Sequence, residues 1–115
     1  MGLMDKHKDD GRARLATGLV AYALGVSPSE ILESRRGSAE IAQARQISMY
    51  IVYVGFGISL ARVAAAFDRD RSTVAYACHQ VEDRRDDVQF DGWLDELEQT
   101  LKGAAGLALM SAVAA

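Results

Sequence analysis

The chain has little of what would indicate a secreted scaffold or a membrane protein. Its 115 residues include one cysteine and one proline, and only 7% are aromatic. A single cysteine cannot form an internal disulfide, so a disulfide-stabilised extracellular fold is excluded. The longest uncharged run, residues 46–61, is shorter than the roughly 20 residues that a membrane-spanning helix needs and contains two glycines.

The N-terminal residues, MGLMDKHKDDGRAR, lack the apolar core of a signal peptide, so we expect a cytoplasmic protein with no membrane contact. Residues 1–10 are expected to be a disordered charged leader. Half of the residues are hydrophobic and β-branched runs are few, which predicts an all-α fold, a small helical bundle. We expect one domain over residues 11–102 and an apolar tail over residues 103–115.

The net charge of −3 is distributed unevenly along the chain. Residues 1–85 carry +2 and residues 86–115 carry −5. The basic residues therefore lie in the first three quarters of the chain, and the acidity lies beyond them. Because affinity for phosphates scales with the cations brought to them, we expect only modest non-specific attraction to nucleic acid.

Residues 58–85 carry the pattern around which the chain is organised. Ser59 can cap a first helix whose apolar residues recur at helical spacing: Leu60, Val63, Ala64 and Phe67. A charged turn, residues 68–70, follows. The next helix has an apolar face of Val74, Ala77, Cys78 and Val81. Its polar face comprises Arg71, Ser72, Ala75, Tyr76, His79 and Gln80. This pattern predicts a helix-turn-helix, whose second helix can enter a DNA major groove, although any small bundle contains helix pairs.

Particular residues make the prediction more specific. RQISMY at residues 45–50, Ser59–Leu60, Phe67, RDRSTV at residues 69–74 and Ala77–Cys78 resemble the C-terminal DNA-binding domain of the bacterial replication initiator DnaA. The corresponding segments of that family are approximately RPRQIAMYL, SLPEIG, AFGGRDHTTV and HAC. The resemblance covers Val20 to about Leu101. It implies a DnaA-like helix-turn-helix bundle that binds double-stranded DNA in the nucleoid.

The resemblance also implies which residues contact DNA: Arg35, Arg36, Arg45, Gln46, Arg69, Asp70, Arg71, Ser72, Thr73 and His79. An arginine of the loop over residues 34–38 would enter the minor groove, and one extra residue before Arg45 leaves open whether it is Arg35 or Arg36. On composition alone, a solvated surface pair is about as common an outcome for two adjacent arginines.

Within the motif, the residue types suggest individual roles. Asp70 can cap the second helix or accept a hydrogen bond from cytosine. Arg71 stands where the family has histidine, and arginine is the commonest reader of guanine, so a changed base preference is expected. His79 replaces a basic family residue. Asp68 stands where the family has two glycines, at a turn that usually requires a positive φ.

Residues 47–56, ISMYIVYVGF, could form a strand by propensity or a helix by spacing. The resemblance favours a long central helix from Ala39 to about Val54. Arg45 and Gln46 would then face outward and touch phosphates, or form an exposed polar patch.

A closing helix is predicted from apolar residues at helical spacing: Phe90, Trp93, Leu94, Leu97 and Leu101. Asp91 could cap it and Gly103 could end it, while Asp95, Glu96 and Glu98 would face water. Residues 83–87 are expected to be a solvated charge run. The tail over residues 103–115 is either disordered or a short docking helix.

No G-x-x-x-x-G-K-[ST] phosphate loop, metal-ligand spacing or acid–base pair is present in the sequence, so we expect neither an enzyme nor a cofactor. The expected function is sequence-specific binding of double-stranded DNA by a stand-alone domain, most simply a monomeric transcriptional regulator. A protein partner could bind the acidic closing helix or residues 103–115. The alternatives are a replication modulator that competes for initiator sites and a protein–protein adaptor with the same fold.

Overall fold

The computed structural model describes residues 3–33 and 37–114. The helices in these ranges are α1 (Leu3–Leu24), α2 (Pro28–Glu33), α3 (Ala39–Phe56), α4 (Leu60–Phe67), α5 (Arg71–Arg84), α6 (Val88–Leu109) and α7 (Ser111–Ala114). The described ranges contain no strand, and the predicted all-α fold class is confirmed.

Helix α3 is the centre of the bundle and settles the choice between strand and helix. Its N-cap is Ser38, whose hydroxyl accepts a hydrogen bond from the Ile41 amide, and its C-cap is Gly57 at φ 61°. Helices α1, α2, α4, α5 and α6 all pack against it. Because α3 has neighbours on several sides, most of its residues from Ile47 onward are buried, including Ile47, Ile51 and Val52. The β-branched composition therefore reflects burial inside a bundle.

Helix α1 begins at Leu3, so the expectation of a disordered leader is wrong for residues 3–10. The side chain of Asp9 is almost fully buried and accepts two hydrogen bonds of 2.8 Å from the guanidinium of Arg62 on α4. Arg12 lies 3.4 Å from the same carboxylate. This ion pair fixes the start of α1 to the first helix of the predicted helix-turn-helix.

The Asp9 ion pair is expected to make stability depend on pH. The hydrogen bonds from Arg62, opposed by burial and assisted by the positive charges of Arg62 and Arg12, lower the pKa of Asp9. A carboxyl whose pKa is depressed by folding stabilises the folded state above its unfolded pKa of about 4, and this contribution is lost as the pH falls through the folded pKa.

We therefore expect Asp9→Asn to lower the free energy of unfolding at pH 7 by about 1–2 kcal/mol, because a charge-assisted pair is lost while Arg62 can still reach water. The difference from wild type should shrink as the pH falls below 4. Urea unfolding at pH 7 and pH 3 measures both. Asp10→Asn is the control, since Asp10 forms only a partly exposed pair with Lys6. Equal effects of the two substitutions at both pH values would contradict this assignment.

The closing helix differs from the prediction at both ends. Its N-cap is Asp87 rather than Asp91, and the Asp87 carboxylate accepts hydrogen bonds from the amides of Gln89 (2.9 Å) and Phe90 (3.2 Å). Gly103 does not end the helix, which continues to Leu109 and is followed by α7. The predicted apolar stripe is confirmed, with Leu94, Leu97 and Leu101 buried and Phe90 and Trp93 packed at its edge.

Two charged residues near this helix were placed wrongly by the sequence. Arg85, expected in a solvated run, donates to Asp91 (2.5 Å), to Asp95, to Glu98 (3.3 Å) and to the Tyr50 hydroxyl (3.0 Å). Glu98, expected to face water, is buried. The Tyr50 hydroxyl donates in turn to Glu82 on α5, and burial followed by this bond raises the pKa of Tyr50 to about 12. Arg85 thus ties α3, α5 and α6 together.

Candidate nucleic-acid interface

Helices α4 and α5 form the predicted helix-turn-helix. The hydroxyl of Ser59 accepts a hydrogen bond from the Arg62 amide and caps α4, as predicted. Asp68 ends α4 at φ 53° and ψ 52°, and its amide and that of Arg69 bond back to the carbonyl of Ala64. The positive φ expected at this turn is confirmed. Aspartate occupies this left-handed region at lower cost than most residues, which explains how the turn closes without glycine.

The two faces of α5 are those that the spacing predicts. Val74, Ala77, Cys78 and Val81 are buried against the bundle. Arg71, Ser72, Thr73, Tyr76 and His79 are exposed. An outward face of polar and aromatic side chains on the second helix is the arrangement that a helix-turn-helix presents to a groove.

Half of the predicted contact residues line one cleft between α3 and the helix-turn-helix. It has a volume of about 410 Å³, and its walls include Arg45, Gln46, Arg69, Asp70 and Thr73. These residues lie up to 28 positions apart in the sequence. The packing of α5 across α3 brings them together.

The remaining predicted residues lie elsewhere. Arg71 borders a neighbouring cleft beside Ser59 and Leu60, at the start of α4. Ser72 and His79 are on the exposed face of α5, where His79 lies 3.7 Å from the carboxylate of Asp83. Arg35 and Arg36 lie outside the described residues, so the expected minor-groove contact stays a prediction.

Arg45 does not face outward as the sequence suggested. Only 9% of it is exposed, its Nε donates to the Ile31 carbonyl at 2.8 Å, and a terminal nitrogen donates to the Glu30 carbonyl at 3.2 Å. Both acceptors lie in α2, so Arg45 holds that short helix against α3. Burial, and then the nearby positive charge of Arg69, lower the pKa of Arg45. Two guanidinium groups are therefore close together at this cleft.

The turn residues also differ in detail from the sequence interpretation. Asp70 occupies the N-cap position of α5, but its side chain makes no capping hydrogen bond. Arg69 donates to the backbone carbonyls of Phe67 (3.3 Å) and Asp68 (3.1 Å), which stiffens the turn. The Asp70 carboxylate, exposed at the mouth of the cleft, is thus not committed to capping its helix.

The sequence interpretation did not include Tyr76 among the candidate contacts. Its side chain is 61% exposed and lines the same cleft as Thr73. The sequence could have indicated Tyr76, because it follows Thr73 by three residues and side chains at that spacing are neighbours on a helix.

Cys78 is a core residue, as predicted. It is buried on the inner face of α5, and burial followed by the negative charge of Glu82 raises the pKa of its thiol to about 11. A thiol held in the protonated form is a poor nucleophile and a poor metal ligand. Within residues 3–33 and 37–114, no group of three or more His, Cys, Asp or Glu side chains could hold a metal ion. In the same ranges, no helix is both long enough and apolar enough to cross a bilayer.

The fold and this exposed helix define a helix-turn-helix domain of the DNA-binding class. Residues 17–81 match the family model of the bacterial DnaA protein helix-turn-helix. The match covers more than half of the chain, and the chain belongs to this family.

Relatives and solved structures agree with this assignment. The chromosomal replication initiator protein DnaA of a Synechococcus strain is 32% identical over 95 residues, which are 81% of this chain and 20% of that protein. DnaA of Thermodesulfovibrio yellowstonii is 34% identical over 86 residues, 73% of this chain and 19% of that protein. The chain thus spans about a fifth of the length of these relatives.

Two solved structures share the fold. A crystal structure of a DNA replication initiation factor superposes with a TM-score of 0.75 at 27% identity, covering 86% of this chain and 30% of that one. A replication initiator DnaA bound to AMPPCP and single-stranded DNA gives a TM-score of 0.74 at 26% identity, with the same shares covered.

Proposed function

We propose that the chain binds duplex DNA at specific sequences, with α5 in the major groove, and that it regulates transcription from those sites. The main observation in support is the exposed face of α5, which lies beside the cleft between α5 and α3. Membership of the DnaA helix-turn-helix family supports the same function.

The first turn of α5 has the chemistry of a base-reading element. Its free backbone N–H groups and the helix dipole attract phosphate oxygens, which fixes the helix on the duplex. Arg71, Ser72 and Thr73 are exposed in that turn. Arginine can donate two hydrogen bonds to guanine, and the short hydroxyl side chains fit close to a phosphate or a base edge.

The charges at the cleft favour selective over indiscriminate binding. Arg45 and Arg69 line it together with the carboxylates of Asp68 and Asp70. A phosphate oxygen near the two guanidinium groups would relieve their mutual repulsion, whereas the carboxylates would repel any phosphate placed a few ångströms away. An aspartate at this place can instead accept a hydrogen bond from cytosine N4.

We further propose that one copy of the chain recognises an asymmetric site. A replication modulator that occupies initiator sites would use the same surface. A protein–protein adaptor is the second candidate, favoured by the net charge of −3 and by the Asp83 carboxylate 3.7 Å from His79, which places negative charge on the exposed face of α5.

Selection of bound fragments from genomic DNA tests the proposal. We expect enrichment of one short asymmetric motif and a single bound copy per motif. Failure to prefer any duplex over random DNA at low salt would reject sequence-specific binding and support the adaptor. Enrichment of sites near promoters, with altered transcription of the adjacent genes on deletion, would separate a regulator from a replication modulator.

Arg71→Ala is expected to weaken binding to the preferred site by about 1–3 kcal/mol and to flatten the preference among sequences, because a bidentate contact to guanine is lost. Arg71→Lys is the matched variant, since it keeps the charge but lacks the planar fork. Fluorescence anisotropy with the selected and a scrambled duplex measures both. Full specificity in the lysine variant would show that Arg71 contacts only phosphate.

A further inference from the structure

The side of the bundle formed by α1 and α6 carries an open apolar groove. It lies between α1, the end of α3 and the last turns of α6, and has a volume of about 620 Å³. We name it the α1/α6 groove and define it by its apolar lining: Leu15, Phe56, Ala104, Ala105, Ala108 and Leu109. We propose that it binds an amphipathic helix of another protein, with Asp or Glu flanking an apolar stripe.

The apolar surface continues from the groove to the end of the described chain. Leu107, Leu109, Met110 and Val113 are 68%, 85%, 60% and 85% exposed. Residues 103–115 contain no charged side chain. Isolated exposed apolar side chains are ordinary, but several in sequence beside an apolar groove are typical of a protein contact site. A bound partner would remove them from water.

The charges around the groove select the chemistry of the partner. Lys8, Arg12 and Lys102 line it together with the apolar residues, and no carboxylate does. Arg12 lies over the Phe56 ring, 4.4 Å from its centroid, so its charge sits directly above the apolar floor. In the described residues, Lys8 and Lys102 have no ion-pair partner. Because Arg12 already pairs with Asp9, Lys8 and Lys102 are the lining cations that a partner would meet, and a groove that carries them is complementary to an acidic partner.

The shape of the floor favours a helix. Gly11, Ala104, Ala105, Gly106 and Ala108 contribute little side-chain bulk, so a second backbone can approach closely. An amphipathic helix that lays its apolar face into such a groove is a recurrent mode of recognition, with anchors at i, i+3, i+4 and i+7. Carboxylates on both sides of that stripe would reach the cations of the rim.

In the described part of a second copy, neither the C-terminal segment nor α6 supplies such a helix. Its apolar residues 103–115 carry no carboxylate, and the apolar side chains between its acidic α6 residues, Leu94 and Leu97, are already buried. A lipid surface fits less well, because a flat membrane cannot reach the floor of a concave groove. The partner is therefore a helix of a different protein.

This inference goes beyond the proposed DNA binding and does not depend on it. Among the residues that define the groove, only Phe56 falls within residues 17–81, the range that matches the family model. The groove also lies apart from the cleft beside α5, and no residue lines both.

Selection from a phage-displayed library of helical peptides, randomised at every outward position and presented to the full chain, tests the proposal. We expect enrichment of peptides with an apolar stripe at i, i+3, i+4 and i+7 flanked by Asp or Glu. In NMR titrations, these peptides should shift the amide signals of Ala104, Ala105 and Gly106 and leave those of Arg71–Thr73 unchanged. Enrichment of no peptide, or of basic peptides, would overturn the proposal.

Two variants and one control test the site itself. Lys102→Glu should lower the affinity for the selected acidic peptides by about tenfold, because a charge at the rim of the groove is reversed. Ala105→Trp should abolish binding by filling the floor. Lys6→Glu makes the same charge change outside the groove and should alter affinity less than about twofold. DNA affinity should be the same in all three, so that loss of DNA binding and loss of peptide binding are independent results.

Other occupants give distinguishable outcomes, and each would overturn the assignment. Binding to phosphatidylglycerol vesicles with no peptide selected would indicate a lipid surface. Concentration-dependent dimerisation that Ala105→Trp abolishes would indicate a second copy. Peptide binding that is insensitive to both Lys102→Glu and Ala105→Trp would place the contact elsewhere.

Discussion

Replacing Arg85 with alanine is expected to lower the free energy of unfolding by about 2–3 kcal/mol, because the largely buried carboxylate of Glu98 loses its cation, whereas Asp91 and Asp95 still reach water. Arg85 contacts three carboxylates of α6 and the hydroxyl of Tyr50 on α3. Although burial lowers it, the hydrogen bonds to Asp91 and Tyr50 raise the pKa of Arg85, so the guanidinium stays charged. In the variant, the largely buried carboxylate of Glu98 would have no cation beside it, which favours unfolding.

The neighbouring arginine provides the control for this substitution. Arg84 is exposed and lies over the Phe90 ring, 3.9 Å from its centroid, so Arg84→Ala should cost at most about 1 kcal/mol. Urea unfolding of both variants measures the difference. The double variant Arg85→Ala with Glu98→Gln should recover part of the loss, since it removes the unpaired charge. Similar stability of the two arginine variants would show that the Arg85 network contributes little.

Replacing Arg45 with alanine is expected to lower the free energy of unfolding by about 3 kcal/mol, because two charge-assisted hydrogen bonds to α2 are lost. Ile31 is buried, and its carbonyl would lose the hydrogen bond that it accepts from Arg45. Since α2 directly precedes Arg35 and Arg36 in the sequence, weakened attachment of α2 should also reduce DNA affinity indirectly. A purely phosphate-contacting residue would instead reduce DNA affinity with no change in stability.

Gln46→Ala is the matched control for Arg45→Ala. Gln46 lines the same cleft and is half-buried, but it is not part of the attachment of α2. We expect Gln46→Ala to leave the melting temperature within about 2 °C of wild type and to weaken DNA binding modestly. Thermal unfolding and anisotropy on the same two proteins separate the roles. A stable Arg45→Ala variant with weak DNA binding would restore the original expectation of a direct phosphate contact.

Local patterns determined the helix-turn-helix. The spacing of Val74, Ala77, Cys78 and Val81 fixed both faces of α5, since a helix places residues three and four apart on one side whatever surrounds it. The cap at Ser59 and the left-handed turn at Asp68 were also predictable, because both depend on how a side chain interacts with the backbone next to it. The exposed candidates of α5 were predictable for the same reason.

Only the tertiary structure decided which charged side chains are part of the bundle. Asp9 meets Arg62 across 53 residues, and Arg45 meets Ile31 across 14, so periodicity in either neighbourhood could not reveal the partners. Arg85 follows the last residue of α5 and Glu98 lies in α6, so their contact depends on how α6 packs against α3. The sequence alone therefore determined the two helices of the helix-turn-helix and the outward face of α5. Packing decided which cations remain at the surface for a ligand, because the energy of a charge depends on burial and on neighbours that lie far away in the chain.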